Sequence, residues 1–377
     1  MTIAVNAIFF SPTYLEGYGY YTLSIFHILV KQHPSHHFVF IYDRPHTTDL
    51  ITGPNVQSIT VGPAARHVPG YLDWYPVSAA LAVKKIKADV WVQPYGFCSQ
   101  TSRVPQLLVV HDIAFKHFPQ YISWMQRWHY AAMTPIFLKK AKRVVTVSEF
   151  SKQDIIAAYP QLSVSPAVIS GAARKGFAPL SWEEKEQVKE AYTDGYEYFI
   201  CVGGIHPRKN MIQILKAFSL FKKWHKTNMK LVFAGRLAWQ YKDFLERLKT
   251  FKYRKDVVLT GYLEENIIQK LTGAAYGALY VSDFEGFGLP IVEAMQSGVP
   301  VITANNSSMP EVGGDAVLYA ESNNPESIAA QMQILYRNEQ IREKQIQKGL
   351  ERAQNYSWEK AAALFWEEII TTNAVSS

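Results

Sequence analysis

Short apolar runs rich in β-branched and aromatic residues alternate with helix-period segments along the whole chain. That alternation leaves few folds open. In the first half the runs are IAVNAIFF (3–10), HFVFIYD (37–43), ADVWVQP (88–94), PQLLVVHD (105–112) and RVVTVSEF (143–150). Helical periodicity falls between them, at 19–31, 72–86 and 122–140. Strands this apolar, separated by helices, predict a parallel sheet covered on both faces. After SPAVIS (165–170) comes a basic, proline-containing stretch, GAARKGFAPLSW, that reads as a linker. The alternation then restarts with YFICVGG (198–204), KLVFAG (230–235), DVVLTGY (256–262), GALYVS (277–282), VPVITA (299–304) and AVLYA (316–320). Two successive α/β domains are expected, over residues 1–175 and 190–356. In such sheets ligands bind beyond the carboxyl ends of the strands, so two facing domains are expected to form a cleft there.

Composition supports this and narrows the rest. At 377 residues the chain is long for one core, and 48% hydrophobic content is ordinary for a globular protein. Cys98 and Cys201 are the only cysteines, which suits a reducing, cytoplasmic compartment rather than a disulfide framework. The opening MTIAVNAIFFSP lacks a basic leader and reads as a first strand, and no apolar run approaches the ~20 residues needed to span a bilayer. The net charge of +7 suits an anionic small molecule or an anionic membrane face. No arginine-rich segment or RNA-binding motif points to nucleic acid.

Four loops carry candidate chemistry. In YVSDFEGFGLPIVEAMQSG (280–298), a strand leads into a glycine loop and then a helix with Pro290 in its first turn. Gly286 and Gly288 let the backbone approach a ligand closely, and the helix start offers N–H groups to an anion or hydroxyl. Glu285 sits in that loop. Glu293 lies in the first turns of the helix, where it suits two neighbouring hydroxyls such as those of a ribose. In VGGIHPRKN (202–210), Gly203 and Gly204 end a strand and Arg208 and Lys209 follow. Arginine offers a planar fork for phosphate oxygens and lysine a point charge, a pair suited to a leaving diphosphate. YLEGYGYYT (14–22) holds Gly17 and Gly19, half of a dinucleotide fingerprint. In VVHDIAFKHFP (109–119), His111 ends a strand.

Together these stretches resemble retaining family 4 glycosyltransferases, which have the GT-B fold of two Rossmann-like α/β domains. EGFGLPIVEAMQSGVPVI with SSMPEVGGDAVLY resembles their donor site, with its Glu-x7-Glu motif. VGGIHPRKN, LTGYLEEN (259–266), HDIAFKHFP, VVTVSEFSKQDI and YSWEKAAALFWEEI extend the likeness over nearly the whole chain. The resemblance implies that Glu285 contacts the donor sugar near the reacting carbon and Glu293 holds the ribose. It implies that backbone groups of Phe287, Gly288 and Leu289 meet the sugar and diphosphate, and that Arg208 and Lys209 neutralise the diphosphate. Tyr262 and Leu263 would lie against the base. Gly204 joins the donor loop, and His111 with the Gly17–Gly19 loop would face the sugar, phosphate and acceptor. A last helix, 357–372, would cross back onto the first domain, with Trp358 near the crossing. Many relatives carry a histidine where this chain has Gln93 and Pro94.

The reaction so implied moves a hexose, with a weak lean toward mannose, from a GDP- or UDP-sugar to a glycan or lipid-linked acceptor. Fixed positive groups at the growing diphosphate charge would stabilise the transition state. No metal or other cofactor is expected, since Arg208 and Lys209 fill that role; Asp283 and Glu285 are the nearest carboxylate pair for Mg²⁺. Two other readings share parts of this pattern. A sugar-nucleotide epimerase of the same fold would convert donor without acceptor. A non-enzymatic membrane-surface module would rest on the aromatic, basic segment 122–143, read as an interfacial helix.

Overall fold

The structure is a computed structural model, described here for residues 1–10, 15, 17–45, 49–65, 68–162, 164–238 and 240–374. The chain forms two compact units. One comprises Met1–Gly171 with Ser357–Ser377, the other Ala172–Tyr356.

Among the described residues the first unit holds seven parallel strands: β1 (Thr2–Asn6), β2 (His37–Tyr42), β3 (Val56–Thr60), β4 (Val90–Gln93), β5 (Gln106–Val109), β6 (Arg143–Thr146) and β7 (Ala167–Val168). They run in the order β3-β2-β1-β4-β5-β6-β7. β1, β4 and β5 are buried almost throughout, which is why their sequences read as unbroken apolar runs rather than alternating ones. The order reverses direction between β1 and β4, and this switch point is where doubly wound sheets open a crevice. β3 was not expected from sequence. Its residues, VQSIT, are polar and only partly covered, as suits an edge strand.

The helix Gly17–Gln32 follows the first loop. Gly17 and Gly19 therefore form the first turn of a helix rather than a loop; Tyr14 and Glu16 lie outside the described residues. Gly19 is buried, and a Cβ there would come within 2.9 Å of Leu15 Cδ2, so the glycine serves close packing. The segment expected to be helical at 72–86 is helical over Val68–Lys85, with its middle, Trp74–Ser78, wound as a wider turn that contains Pro76.

The terminal helix Trp358–Ala374 belongs to the first unit. Phe365 is fully buried edge-on to Phe26, with ring centroids 5.9 Å apart. His33 stacks on Trp366 at 3.6 Å, and Tyr21 meets Trp358 edge-on at 6.0 Å. Arg143 on β6 makes a two-point contact with Glu368, at 2.6 and 2.9 Å.

The second unit holds β8 (Tyr198–Val202), β9 (Lys230–Ala234), β10 (Val257–Gly261), β11 (Gly277–Tyr280), β12 (Val301–Ala304) and β13 (Leu318–Ala320), in the order β10-β9-β8-β11-β12-β13. All pairings are parallel. The switch point here lies between β8 and β11. The unit begins at Ala172, ahead of position 190. Ala172, Ala173 and Phe177 are buried, and the helix Trp182–Thr193 opens with a capping box from Ser181 and Glu184. Only Gly171 of the stretch read as a linker stays with the first unit.

Candidate donor site at the second switch point

β8 and β11 pair in parallel, so the loops leaving their carboxyl ends lie side by side. The first loop turns at Gly203, whose φ of 136° is open to glycine but strained for other residues. Gly204 continues it, and a Cβ there would sit 3.2 Å from the Ala238 side chain. A short 3-10 turn, Pro207–Lys209, then presents Arg208 and Lys209. His206 opens that turn by accepting the Arg208 N–H at its own Nδ1. Asn210 closes it in the left-handed region, at φ 56°, and starts the helix Met211–His225. Asparagine tolerates that conformation better than most residues.

The second loop runs from Val281 to Gly288 and feeds the helix Leu289–Gln296. Gly288 caps that helix at φ 109°. The two loops are tied at several points. The Asp283 N–H donates to the Arg208 carbonyl at 2.8 Å. Arg208 Nη1 donates to the Phe284 carbonyl. Asn210 Nδ2 donates to the Val281 carbonyl at 3.0 Å and to Asp283 Oδ1 at 2.6 Å.

Glu285 lies under this lattice, 8% exposed. Its carboxylate meets Lys209 Nζ at 2.7 Å and Arg208 Nη1 at 3.1 Å. Burial alone would raise its pKa. The Arg208 and Lys209 cations outweigh burial and hold the carboxyl at about 2, so Glu285 is ionised at neutral pH. Lys209 also donates to the Tyr280 hydroxyl at 2.6 Å and sits 4.4 Å above that ring. Burial lowers its pKa, and Glu285 opposes the shift. His206 is pushed down to about 4 by burial and by the neighbouring cations, so its ring is neutral. Within this trio two cations stand against one carboxylate, an excess of positive charge that suits an anion.

Ser307 and Ser308, from the loop after β12, hold the glycine loop in shape. Ser307 Oγ accepts the Glu285 N–H at 3.1 Å, and Ser308 Oγ contacts the Glu285 and Phe287 carbonyls at 2.9 and 2.8 Å. The motif SSMPE marks this loop in the sequence, but nothing in it distinguishes the two serines as holding the glycine loop. Phe287 packs edge-on to Tyr356 at 5.4 Å, and Leu289 opens the helix. Tyr262, 52% exposed, and Leu263 follow β10, two strands from β8. No hydrogen bond, ion pair or ring contact joins them to the Glu285 cluster among the described residues.

Glu293 is in a different setting from Glu285. It is 2% exposed and forms a two-point ion pair with Arg174, 119 residues away, at 2.6 and 3.0 Å. Arg174 lies in the linker-like stretch GAARKGFAPLSW, whose sequence does not single it out.

In the first unit, His111 follows β5. Its Nε2 lies 3.1 Å from the Pro94 carbonyl, which only accepts, so Nε2 carries the proton and Nδ1 is the acceptor. Burial drives its pKa down to about 4 against the opposing pull of Asp112 and Pro94, so the ring is neutral. Tyr21 packs edge-on to it at 5.2 Å and Tyr18 lies 6.3 Å away, which brings the start of the helix Gly17–Gln32 beside His111. Gln93, the departure from the family pattern, is fully buried. Asn6 donates to its Oε1 at 3.0 Å, and it donates to Gln106 Oε1 at 3.0 Å. This amide chain links β1, β4 and β5 and gives Gln93 a role inside the sheet.

The model for "Glycosyl transferases group 1" matches residues 183–352, nearly all of the second unit. The O-antigen chain mannosyltransferase B of Escherichia coli is 31% identical over 256 residues, 66% of each chain. The sucrose-phosphate synthase of Thermosynechococcus elongatus superposes with a TM-score of 0.80 over 99% of both chains, at 15% identity. Anabaena Alr3699/HepE in complex with UDP-glucose gives a TM-score of 0.75 over 98% of this chain and 100% of that one, also at 15% identity. The fold is GT-B, and the chain belongs to the group 1 glycosyltransferases. It is an enzyme of glycosyl transfer.

Proposed function

We propose that the protein transfers a hexose, of mannosyl type, from a nucleotide-diphosphate sugar to a glycan or lipid-linked acceptor, with retention at the anomeric carbon. The observation that carries this reading is the Glu285–Arg208–Lys209 cluster at the β8/β11 switch point. The likeness to an O-antigen chain mannosyltransferase supports the sugar and the acceptor class. The UDP-glucose complex of a protein with this fold supports a nucleotide sugar as donor.

In this reading Arg208 and Lys209 receive the donor diphosphate. Negative charge grows there as the bond to the anomeric carbon breaks, so fixed cations lower the barrier. Glu285, ionised and beside them, faces the positive charge that develops on the sugar ring. Glu293 takes the ribose hydroxyls, and Tyr262 and Leu263 flank the base. His111, neutral, offers Nδ1 to a sugar or acceptor hydroxyl. Arg208 and Lys209 do the work of a divalent cation. The neighbouring Asp283 already accepts from Asn210, Ser322 and Asn323. Transfer is therefore expected to persist in excess EDTA.

We place the reaction in the cytoplasm, with peripheral contact to an anionic membrane face. Trp124 (76% exposed) and Trp128 (60%) project from the helix Trp124–Lys140. No acidic residue occurs between Asp112 and Glu149, while Lys116, Arg127, Lys139, Lys140 and Lys142 do. Aromatic and basic side chains together suit a bilayer interface. Among the described residues no helix is long and apolar enough to cross a membrane.

A thermal-shift panel of nucleotide sugars tests the donor, because a ligand that binds only the folded form raises Tm. GDP-mannose is expected to give the largest shift, and to stay intact when no acceptor is present. No shift with any nucleotide sugar would sink the reading.

A further inference from the structure

Arg174 lies three residues past Gly171, where the chain enters the second unit. Its guanidinium donates through Nε to Glu293 Oε1 at 2.6 Å and through Nη2 to Oε2 at 3.0 Å. The two side chains are 11% and 3% exposed, and the guanidinium sits 5.1 Å from the Phe177 ring. The same segment is fastened on either side of this contact. Gln296, one turn beyond Glu293, donates to the Phe177 carbonyl at 3.0 Å, and Gln269 donates to the Lys175 carbonyl at 2.8 Å. Gly176 is at φ 100°, and a Cβ there would come within 2.5 Å of Gln269. Residues 174–177 are thus held against the helices Leu289–Gln296 and Glu265–Gly273.

Stability alone is a poor reason for such a pair. Two well-packed apolar side chains usually serve as well as a buried ion pair or better. What the arginine fork adds is direction, since two parallel N–H bonds fix the plane of the carboxylate. Each carboxylate oxygen can accept two hydrogen bonds. Arg174 uses one on each, and that leaves each oxygen an acceptor site, the number two vicinal hydroxyls need.

We propose that Arg174 is a positioning residue for the donor: it sets the orientation in which Glu293 receives the ribose diol, and so makes the segment where the chain enters the second unit part of the nucleotide site. This rests on the reading of Glu293 as the ribose acceptor.

The test compares Arg174→Gln, Arg174→Lys and Glu293→Gln with the unaltered full chain. Donor KM and kcat are measured, along with the affinities of UDP, GDP and their 2′-deoxy forms by calorimetric titration. Arg174→Gln is expected to raise donor KM roughly 10- to 100-fold with kcat little changed, as expected on losing hydrogen bonds at a charged acceptor. It is also expected to abolish the preference for the ribo over the 2′-deoxy nucleotide. Arg174→Lys, which keeps the charge without the fork, should recover part of that preference. A merely structural role would lower Tm and leave the preference intact, and that result in Arg174→Gln overturns the proposal. If Glu293→Gln loses the preference while Arg174→Gln keeps it, the proposal fails and the ribose reading stands. If Glu293→Gln keeps it too, the ribose reading has failed. Should Arg174→Gln not fold, full ribo preference in Arg174→Lys overturns the proposal by itself.

Discussion

Lys209 is a charged group held mostly away from water. Its ammonium is shared between the Glu285 carboxylate and the Tyr280 hydroxyl, and burial weakens its hold on the proton while Glu285 restores it. A loop cation read from sequence alone would be expendable to the fold, but this one is not. Its removal leaves the buried Glu285 carboxylate with Arg208 as its remaining cation and takes away the partner of the Tyr280 hydroxyl. Arg208→Ala and Lys209→Ala are each expected to lower turnover by roughly 10²–10³, by analogy with losing one oxyanion donor. Lys209→Ala should also lower Tm markedly. Rates and melts on the same preparations check both statements. Near-normal rates in the two folded variants would remove these residues from the diphosphate site.

At the scale of elements, the helix Leu289–Gln296 depends on how it begins. Gly288 enters it at φ 109°, and a Cβ there would lie 3.2 Å from Ile291 Cδ1. Gly288→Ala is therefore expected to cost roughly 1–2 kcal/mol, since side-chain-bearing residues disfavour the left-handed region. A denaturation midpoint equal to that of the unaltered protein would contradict this. That loop was legible in the sequence because glycine, proline and the strand before them each signal locally. The buried strands were legible for the same reason: β8, β9 and β11 carry apolar residues on both faces. β3 was not, because an edge strand with a polar sequence resembles a loop. Gly19 lies in the first turn of a helix, and a glycine needed for close helix packing looks, in one dimension, like a glycine needed for a loop. Arg174 could not be found at all. Its partner is 119 residues away, and nothing about an arginine in an irregular stretch names a partner at that distance.

Over the whole molecule, the alternation of strands and helices was enough to give two α/β units, because each buried parallel strand needs a covering helix and announces both. What sequence patterning could not give was which loops meet. The strand order supplies that: β8 and β11 begin 79 residues apart, at Tyr198 and Gly277, yet are adjacent in the sheet, and their loops bring Arg208 and Lys209 to Glu285. We propose that this cluster acts on the reacting sugar and diphosphate while Glu293, paired with Arg174, acts on the ribose. Initial rates over a donor concentration series, for Glu285→Gln and Glu293→Gln, test it most directly. Glu285→Gln removes a charge beside a developing cation and is predicted mainly to lower kcat. Glu293→Gln weakens binding away from the reacting carbon and is predicted mainly to raise donor KM. Loss of kcat at unchanged donor KM in Glu293→Gln, with Glu285→Gln nearly normal, would contradict the assignment.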